Sequence, residues 1–123
     1  MKRHFSENER AFFMNVDLKN HVAIVAVAKE GDCKVIAGGG RYIVIEPGWA
    51  EMAFVVVDAW QGKGVGSILM RHLAKLANNA GLKELTAEVL HENTAMRRVF
   101  QKFGFTPGPH RDAQTIHLVL KLN

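Results

Sequence analysis

The chain has 123 residues, of which 48% are hydrophobic and 23% charged, and its formal charge is +4. This length and composition predict one globular domain over residues 1–123 and exclude a disordered tail, a collagen-like fibre and a disulfide scaffold. With one cysteine (Cys33), no apolar stretch long enough to cross a bilayer and no evident signal peptide, a soluble cytoplasmic protein is expected.

The first half of the chain is predicted to form one helix and three strands. A capping box predicts a short helix over residues 6–14. Valine and isoleucine content predicts a strand over residues 21–28. A second, longer strand is predicted over 34–46, with a bulge or bend at 38–40. Residues 51–58 are apolar on both faces, which predicts a central buried strand.

The second half alternates helices and strands. Apolar residues recur at helical spacing over residues 64–80, and Gly81 is expected to cap that helix. Alternating residues predict strands over 82–90 and 114–120, with a second helix over 93–103 between them. Hairpin strands followed by a β-α-β crossover predict an α/β (α+β) domain with helices packed on a mixed sheet.

A glycine-rich turn lies between the buried strand and the long helix. Glycines allow a tight turn and close approach of a ligand, and the helix N-terminus favours an anion such as phosphate. The spacing fits neither a P-loop nor a dinucleotide-binding fingerprint, and a tight turn without a ligand is the alternative. Lysine in the turn would add positive charge. The residues of this turn are Gln61, Gly62, Lys63, Gly64, Val65 and Gly66.

The turn resembles the acetyl-CoA pyrophosphate loop of the GNAT N-acetyltransferases, which has the pattern Gln/Arg-x-x-Gly-x-Gly/Ala. Residues 93–105, in which Asn93 opens a helix that ends in Gly104-Phe105, resemble the closing segment of the same superfamily. Within it the chain is most similar to the GNAT domain of Pat-type protein lysine acetyltransferases. The segments that carry this narrower likeness are residues 3–5, 22–28, 37–42, 50–66, 89–93 and Met96.

The resemblance implies the GNAT acyl-CoA N-acyltransferase fold, a mostly antiparallel sheet with splayed central strands, and acetyl-CoA as co-substrate. It also implies that the chain is short at its N-terminus, because it begins near the family's second helix. Pantetheine would lie between the splayed strands and pair with backbone groups of Phe54, Val55 and Val56. Asn93 would cap its helix and contact CoA. Phe100, which is expected among the cofactor-binding residues, occupies the position where many members carry a tyrosine general acid, a role that phenylalanine cannot perform.

Glu51 is the candidate general base, because direct attack on a thioester requires a neutral amine. It is the only charged residue between Glu46 and Asp58. It also occupies the position of the catalytic glutamate in the Pat-type enzymes that the chain resembles. The alternative is a glutamate at a strand end that simply faces solvent.

The expected function is acetyl transfer from acetyl-CoA to a primary amine, with a protein lysine as the first choice of acceptor. A small-molecule amine and a non-catalytic acetyl-CoA-binding regulatory module are the alternatives. Scattered basic residues argue against a nucleic-acid partner, and no Cys/His pair has the spacing of a zinc site, so no metal is expected. Neither is a membrane partner expected, while homo-oligomerisation stays open.

Overall fold

A computed structural model describes residues 10–17, 20–109 and 113–122. The strands and helices of these residues are β1 Arg10–Asp17, β2 His21–Glu30, β3 Cys33–Glu46, β4 Trp49–Val56, a 3-10 turn Asp58–Trp60, α1 Val65–Asn79, β5 Glu84–Leu90, α2 Thr94–Lys102, β6 Thr106–Pro107 and β7 Thr115–Lys121. In the part of the chain that the structure describes, no helix has the length and apolar character needed to span a membrane.

The strands form one seven-stranded sheet in the order β1-β2-β3-β4-β5-β7-β6. Strands β4 and β5 are parallel, and every other neighbouring pair is antiparallel. The parallel pair requires a crossover connection, which α1 supplies. The predicted mixed sheet with a β-α-β crossover is therefore confirmed. The β2–β3 register shifts between Ile36 and Gly38, so a bulge lies at Ala37, one residue before the predicted segment.

The predicted helix over residues 6–14 is wrong where the structure describes it. Residues 10–14 belong to β1, which pairs with β2 and places Phe12 opposite Val25. The capping box itself lies outside the described residues. Aromatic residues such as Phe12 and Phe13 favour strands, and pairing satisfies the peptide groups along the edge of β2. The two-residue β6, which pairs with β7, was not predicted.

Both helices pack on the same face of the sheet and form the core with it. Leu69 and Leu73 of α1 are fully buried. Phe100 of α2 is 2% exposed, and its ring packs edge to face against Phe54 of β4 and Phe105, with centroids 5.7 Å and 4.8 Å apart. Aromatic contacts of this kind stabilise a core beyond the area that they bury. Phe100 therefore anchors α2 to the sheet.

The prediction that β4 is buried on both faces is wrong. Ala50 and Met52 are buried beneath the helices, whereas Ala53 is exposed and Val55 is 70% exposed. The apolar sequence of β4 therefore supplies one core face and one uncovered face. We call the face opposite the helices the open face. Its residues on β3, β4, β5 and β7, placed by register, include Ile36, Gly39, Arg41, Ile43, Glu51, Ala53, Val55, Glu84, Thr86, Glu88, Leu90, Thr115, His117, Val119 and Lys121.

Gly38 lies on β3 directly opposite Val56 of β4. A Cβ atom there would lie 2.7 Å from the carbonyl oxygen of Val55, whereas one on neighbouring Gly39 would lie no closer than 3.4 Å to the carbonyl oxygen of Ile24. We expect Gly38→Ala to lower the free energy of unfolding by about 2 kcal/mol, since the backbone must shift. Gly39→Ala is the matched control. Urea denaturation checks this, and equal stability of the two variants would contradict it.

Candidate active site

Strands β4 and β5 separate part of the way along the sheet. They are paired only from Trp49–Glu84 to Met52–Ala87. Beyond Met52, β4 pairs only with β3. Beyond Ala87, β5 pairs only with β7. The two strands therefore open into a V-shaped cleft, as the predicted splayed sheet requires.

A cavity of about 190 Å³ lies along the β4 side of this cleft, on the face of the sheet that the helices cover. Its walls come from the end of β4, the glycine-rich turn, the start of α1 and one side of α2. The residues that line it are Phe54, Val56, Trp60, Gln61, Gly62, Gly64, Val65, Gly66, Ser67, Asn93, Ala95, Met96 and Val99. Most of the binding residues predicted from the sequence thus meet at one cavity. Trp60, Ser67, Ala95, Met96 and Val99 were missed.

Peptide groups of β4 face into the cleft at alternate residues. The N–H of Val57 donates to the carbonyl of Ala37 on β3, at 2.8 Å. Because peptide groups alternate sides along a strand, those of Phe54 and Val56 are directed away from β3 and toward the cleft. The peptide groups of Val55 are directed toward β3, and its side chain lies on the open face. Phe54 and Val56 are therefore better placed than Val55 to pair with a ligand.

The glycine-rich turn brings the start of α1 to the mouth of the cleft. Gly62 and Gly64 have φ angles of 76° and 91°, in the left-handed region that favours glycine. Gly64 is the N-cap of α1 and provides no side-chain hydrogen bond. The N–H groups of the first helical turn have no acceptor within the helix, and together with the helix dipole they form a site for an anion.

Lys63 does not present its charge to the cavity. Its side chain is buried, its ammonium group donates to the carbonyl of Ala59, and Nζ lies 5.7 Å from the ring centroid of Trp60. Gln61 also folds back, with Nε2 at 3.3 Å from the carbonyl oxygen of Val56. Both side chains therefore fix the shape of the turn, and the cavity side of the turn is formed largely by backbone.

Asn93 caps α2 as the sequence predicted. Its Oδ1 accepts a hydrogen bond from the N–H of Met96 at 3.2 Å, and Asn93 also lines the cavity. Its side chain is therefore in a position to serve both of the predicted roles.

Two substitutions separate these roles. Asn93→Ala removes the cap and should cost about 1 kcal/mol of stability, whereas Asn93→Ser keeps a capping oxygen. If the amide also contacts the ligand, both variants should bind CoA more weakly, although only Asn93→Ala unfolds more easily. Thermal unfolding and calorimetric titration with CoA provide the two measurements. Full CoA affinity in Asn93→Ser would assign Asn93 to the cap alone.

Neither Phe100 nor Tyr42 supplies a general acid in the cavity. Phe100 lies below the cavity floor, behind Phe54, and is not among the lining residues. Tyr42, the only tyrosine, is 2% exposed on β3 opposite Met52. Burial raises the pKa of its phenol above the usual value of 10.0, so it stays protonated at neutral pH.

Glu51 lies on the open face at the foot of the cleft. It is opposite Ile43 on β3 and level with Thr86 on β5, and it is exposed. Beside it, the indole N–H of Trp49 donates to the hydroxyl of Thr86 at 2.8 Å. This hydrogen bond joins β4 to β5 next to the point where they part. Glu51 therefore approaches the cleft from the face opposite the helices.

A larger cavity of about 590 Å³ lies on the other side of α2. Arg97, Arg98 and Gln101 form one wall, and Ile116 and Leu118 of β7 contribute to its lining. None of the site residues predicted from the sequence lines it. The two cavities contact different sides of α2, so the larger one is separate from the cleft.

Comparison with known proteins identifies related chains. Residues 2–105 match the model of the acetyltransferase (GNAT) family. Acetyltransferase Pat of Mycolicibacterium smegmatis is 35% identical over 76% of this chain, and acetyltransferase PA5475 of Pseudomonas aeruginosa is 32% identical over 85%. The matched regions cover only 28% and 58% of those relatives. The crystal structure of the GNAT domain of S. lividans PAT superimposes with a TM-score of 0.75 at 30% identity, covering 89% of this chain and 65% of that one.

Proposed function

The chain belongs to the acetyltransferase (GNAT) family, and we propose on this basis that it transfers the acetyl group of acetyl-CoA to a primary amine, with a protein lysine as acceptor. The observation that carries the proposal is the cleft between β4 and β5, which has an uncapped helix N-terminus at its mouth and a carboxylate, Glu51, at its foot.

The cleft suits both ends of acetyl-CoA. The pyrophosphate would bind the N–H groups at the start of α1, where the helix dipole favours negative charge. Pantetheine would then lie in the cleft and pair with the peptide groups of Phe54 and Val56, while Met96 and Val99 cover it from α2. This arrangement would bring the thioester to the narrow end of the V, close to Glu51.

Direct attack by an amine needs a proton acceptor, and Glu51 at the narrow end of the cleft would provide one. A lysine side chain with a pKa near 10.4 is neutral in only about one molecule in a few thousand at pH 7. As the amine nitrogen attacks the thioester carbon, Glu51 would accept the proton, the new C–N bond would form, and the C–S bond would break. CoA would leave as a thiolate and take a proton from water. A backbone N–H directed at the developing oxyanion is worth about 3–4 kcal/mol.

The open face favours a protein as the acceptor. Ile36, Val55 and Leu90 belong to this face and are 60%, 70% and 50% exposed. Exposed apolar side chains on one face of a sheet are available for contact with another protein. Glu51 lies on the same face, four residues along β4 from Val55, so an acceptor protein resting on the open face could extend a lysine to the foot of the cleft. The resemblance to Pat-type lysine acetyltransferases points the same way.

The test is release of CoA thiol from acetyl-CoA in the presence of a panel of proteins and small amines, with acetylated products identified by mass spectrometry. We expect amine-dependent release and acetyl-lysine on at least one protein. Release with small amines alone would replace the protein acceptor by a small molecule. Binding of CoA without any amine-dependent release would indicate a non-catalytic acetyl-CoA-binding module.

A further inference from the structure

A second carboxylate, Glu88, lies at the cleft on the opposite strand from Glu51. It is the first residue of β5 beyond the paired segment that ends at Ala87, and register places it on the open face with Thr86. Strand spacing of about 4.8 Å and a rise of about 3.3 Å per residue put the Cα atoms of Glu51 and Glu88 about 8 Å apart. The two carboxylates therefore stand on either side of the narrow end of the cleft.

Two neighbours on β7 hold the Glu88 carboxylate in place. The hydroxyl of Thr115 donates to Oε1 at 3.1 Å, and Nδ1–H of His117 donates to Oε2. The His117 side chain is 4% exposed, whereas that of Glu88 is 31% exposed. Glu88 is thus fixed by two side chains and still accessible from the open face.

The burial of His117 depends on a glycine in the neighbouring chain segment. A Cβ atom at Gly108 would lie 2.7 Å from Cδ2 of the imidazole, and the N–H of Gly108 donates to the His117 carbonyl at 2.8 Å. Glycine therefore lets the segment before β7 cover the ring closely. This packing restricts the orientation of the imidazole and, through it, that of the Glu88 carboxylate.

Glu84, on the same strand, differs from Glu88 in the kind of partner that its carboxylate has. It lies on the same face of β5, and its carboxylate forms an ion pair with Lys121 at 2.8 Å. The partners that the structure shows for Glu88 are a hydroxyl and an imidazole, neither of which is an ammonium or guanidinium group. A fixed, accessible carboxylate of this kind suits a cation from outside the chain.

We propose that Glu88 binds the ammonium group of the incoming acceptor and so selects cationic amines over neutral or anionic acceptors. Thr115 and His117, which lie on β7 on the side of β5 away from the cleft, are positioning residues that fix the orientation of its carboxylate. The inference rests on the proposed acetyl transfer and adds how the acceptor is recruited. The ammonium group would bind between the two carboxylates. Glu51 would take its first proton and pass it to solvent, and would then accept the second proton as the neutral amine attacks the thioester.

The test is the steady-state kinetics of Glu88→Gln with the fastest acceptor found in the panel. We expect the KM for the acceptor to rise tenfold or more, because a charge-assisted hydrogen bond is lost, and the KM for acetyl-CoA to stay within about twofold. Glu84→Gln is the matched control on the same strand and should leave both constants unchanged. Raising the salt concentration should increase the acceptor KM of the wild type and have little effect on that of Glu88→Gln.

Thr115 tests the positioning role without disturbing a buried ring. Thr115→Val keeps the shape of the side chain but removes the donor, and it should raise the acceptor KM about threefold, which Thr115→Ser should restore. An unchanged acceptor KM in Glu88→Gln, or an equal rise in the KM for acetyl-CoA, would overturn this inference but leave the proposed acetyl transfer standing. No amine-dependent release by the wild type would overturn the proposed function and this inference with it.

Discussion

Replacing Glu51 with glutamine is expected to slow acetyl transfer about a thousandfold, in the middle of the range for loss of a general base. Glutamine keeps the size of the side chain and its place on the open face but cannot accept the proton of the attacking amine. Affinity for CoA should be unchanged, because Glu51 does not line the cavity on the helix side. Rates of thiol release at saturating acetyl-CoA and amine provide the measurement.

The pH dependence of this variant distinguishes a base from a merely structural residue. The rate of Glu51→Gln should approach that of the wild type as the pH approaches about 10.4, where a lysine acceptor loses its proton to solvent. Glu30→Gln makes the same charge change at the exposed end of β2 and serves as the control. A Glu51→Gln enzyme with the wild-type rate at neutral pH would remove Glu51 from the mechanism.

Replacing Gly64 with valine is expected to weaken acetyl-CoA binding about a hundredfold, equivalent to about 2.7 kcal/mol. The φ angle of 91° at this N-cap is a genuine outlier for a β-branched residue, so the turn must change conformation. The N–H groups at the start of α1 would then no longer converge on the pyrophosphate. Calorimetric titration with acetyl-CoA measures the effect.

Gly81 provides the matched control for this substitution. Its φ angle is 84°, a Cβ atom there would meet nothing within 4 Å, and it lies at the other end of α1. Gly81→Val should therefore cost a similar amount of stability through backbone strain without affecting the ligand. If the two variants lost the same affinity for acetyl-CoA, the effect at Gly64 would come from lowered stability and the turn would not be the pyrophosphate site.

The glycine-rich turn was predictable from the sequence because its geometry is local. Glycine spacing at Gly62 and Gly64, between a strand and an amphipathic helix, requires left-handed backbone and a helix start at one place. The capping role of Asn93 is local for the same reason. The direction of the Lys63 side chain depends instead on its contacts with the Ala59 carbonyl and the Trp60 ring, which no pattern in the sequence specifies.

Features that depend on strand register or on covering layers were not predictable. The alternation of β5 shows that Glu88 lies on the polar side of its strand, but only the β5–β7 register brings Thr115 and His117 to it. The apolar residues of β4 suggested burial on both sides, because sequence does not show which layers cover a sheet. The capping pattern at residues 6–9 predicts a helix, whereas residues 10–17 form a strand because they pair with β2.

The most direct test of the account is the stoichiometry of the reaction. Wild-type protein, acetyl-CoA and the best acceptor of the panel are incubated together, and released thiol and acetylated amine are both quantified. One acetylated amine is expected for each CoA released, and both products should fall together in Glu51→Gln and in Gly64→Val. Thiol release without acetylated amine, or equal product from the wild type and both variants, would contradict this expectation.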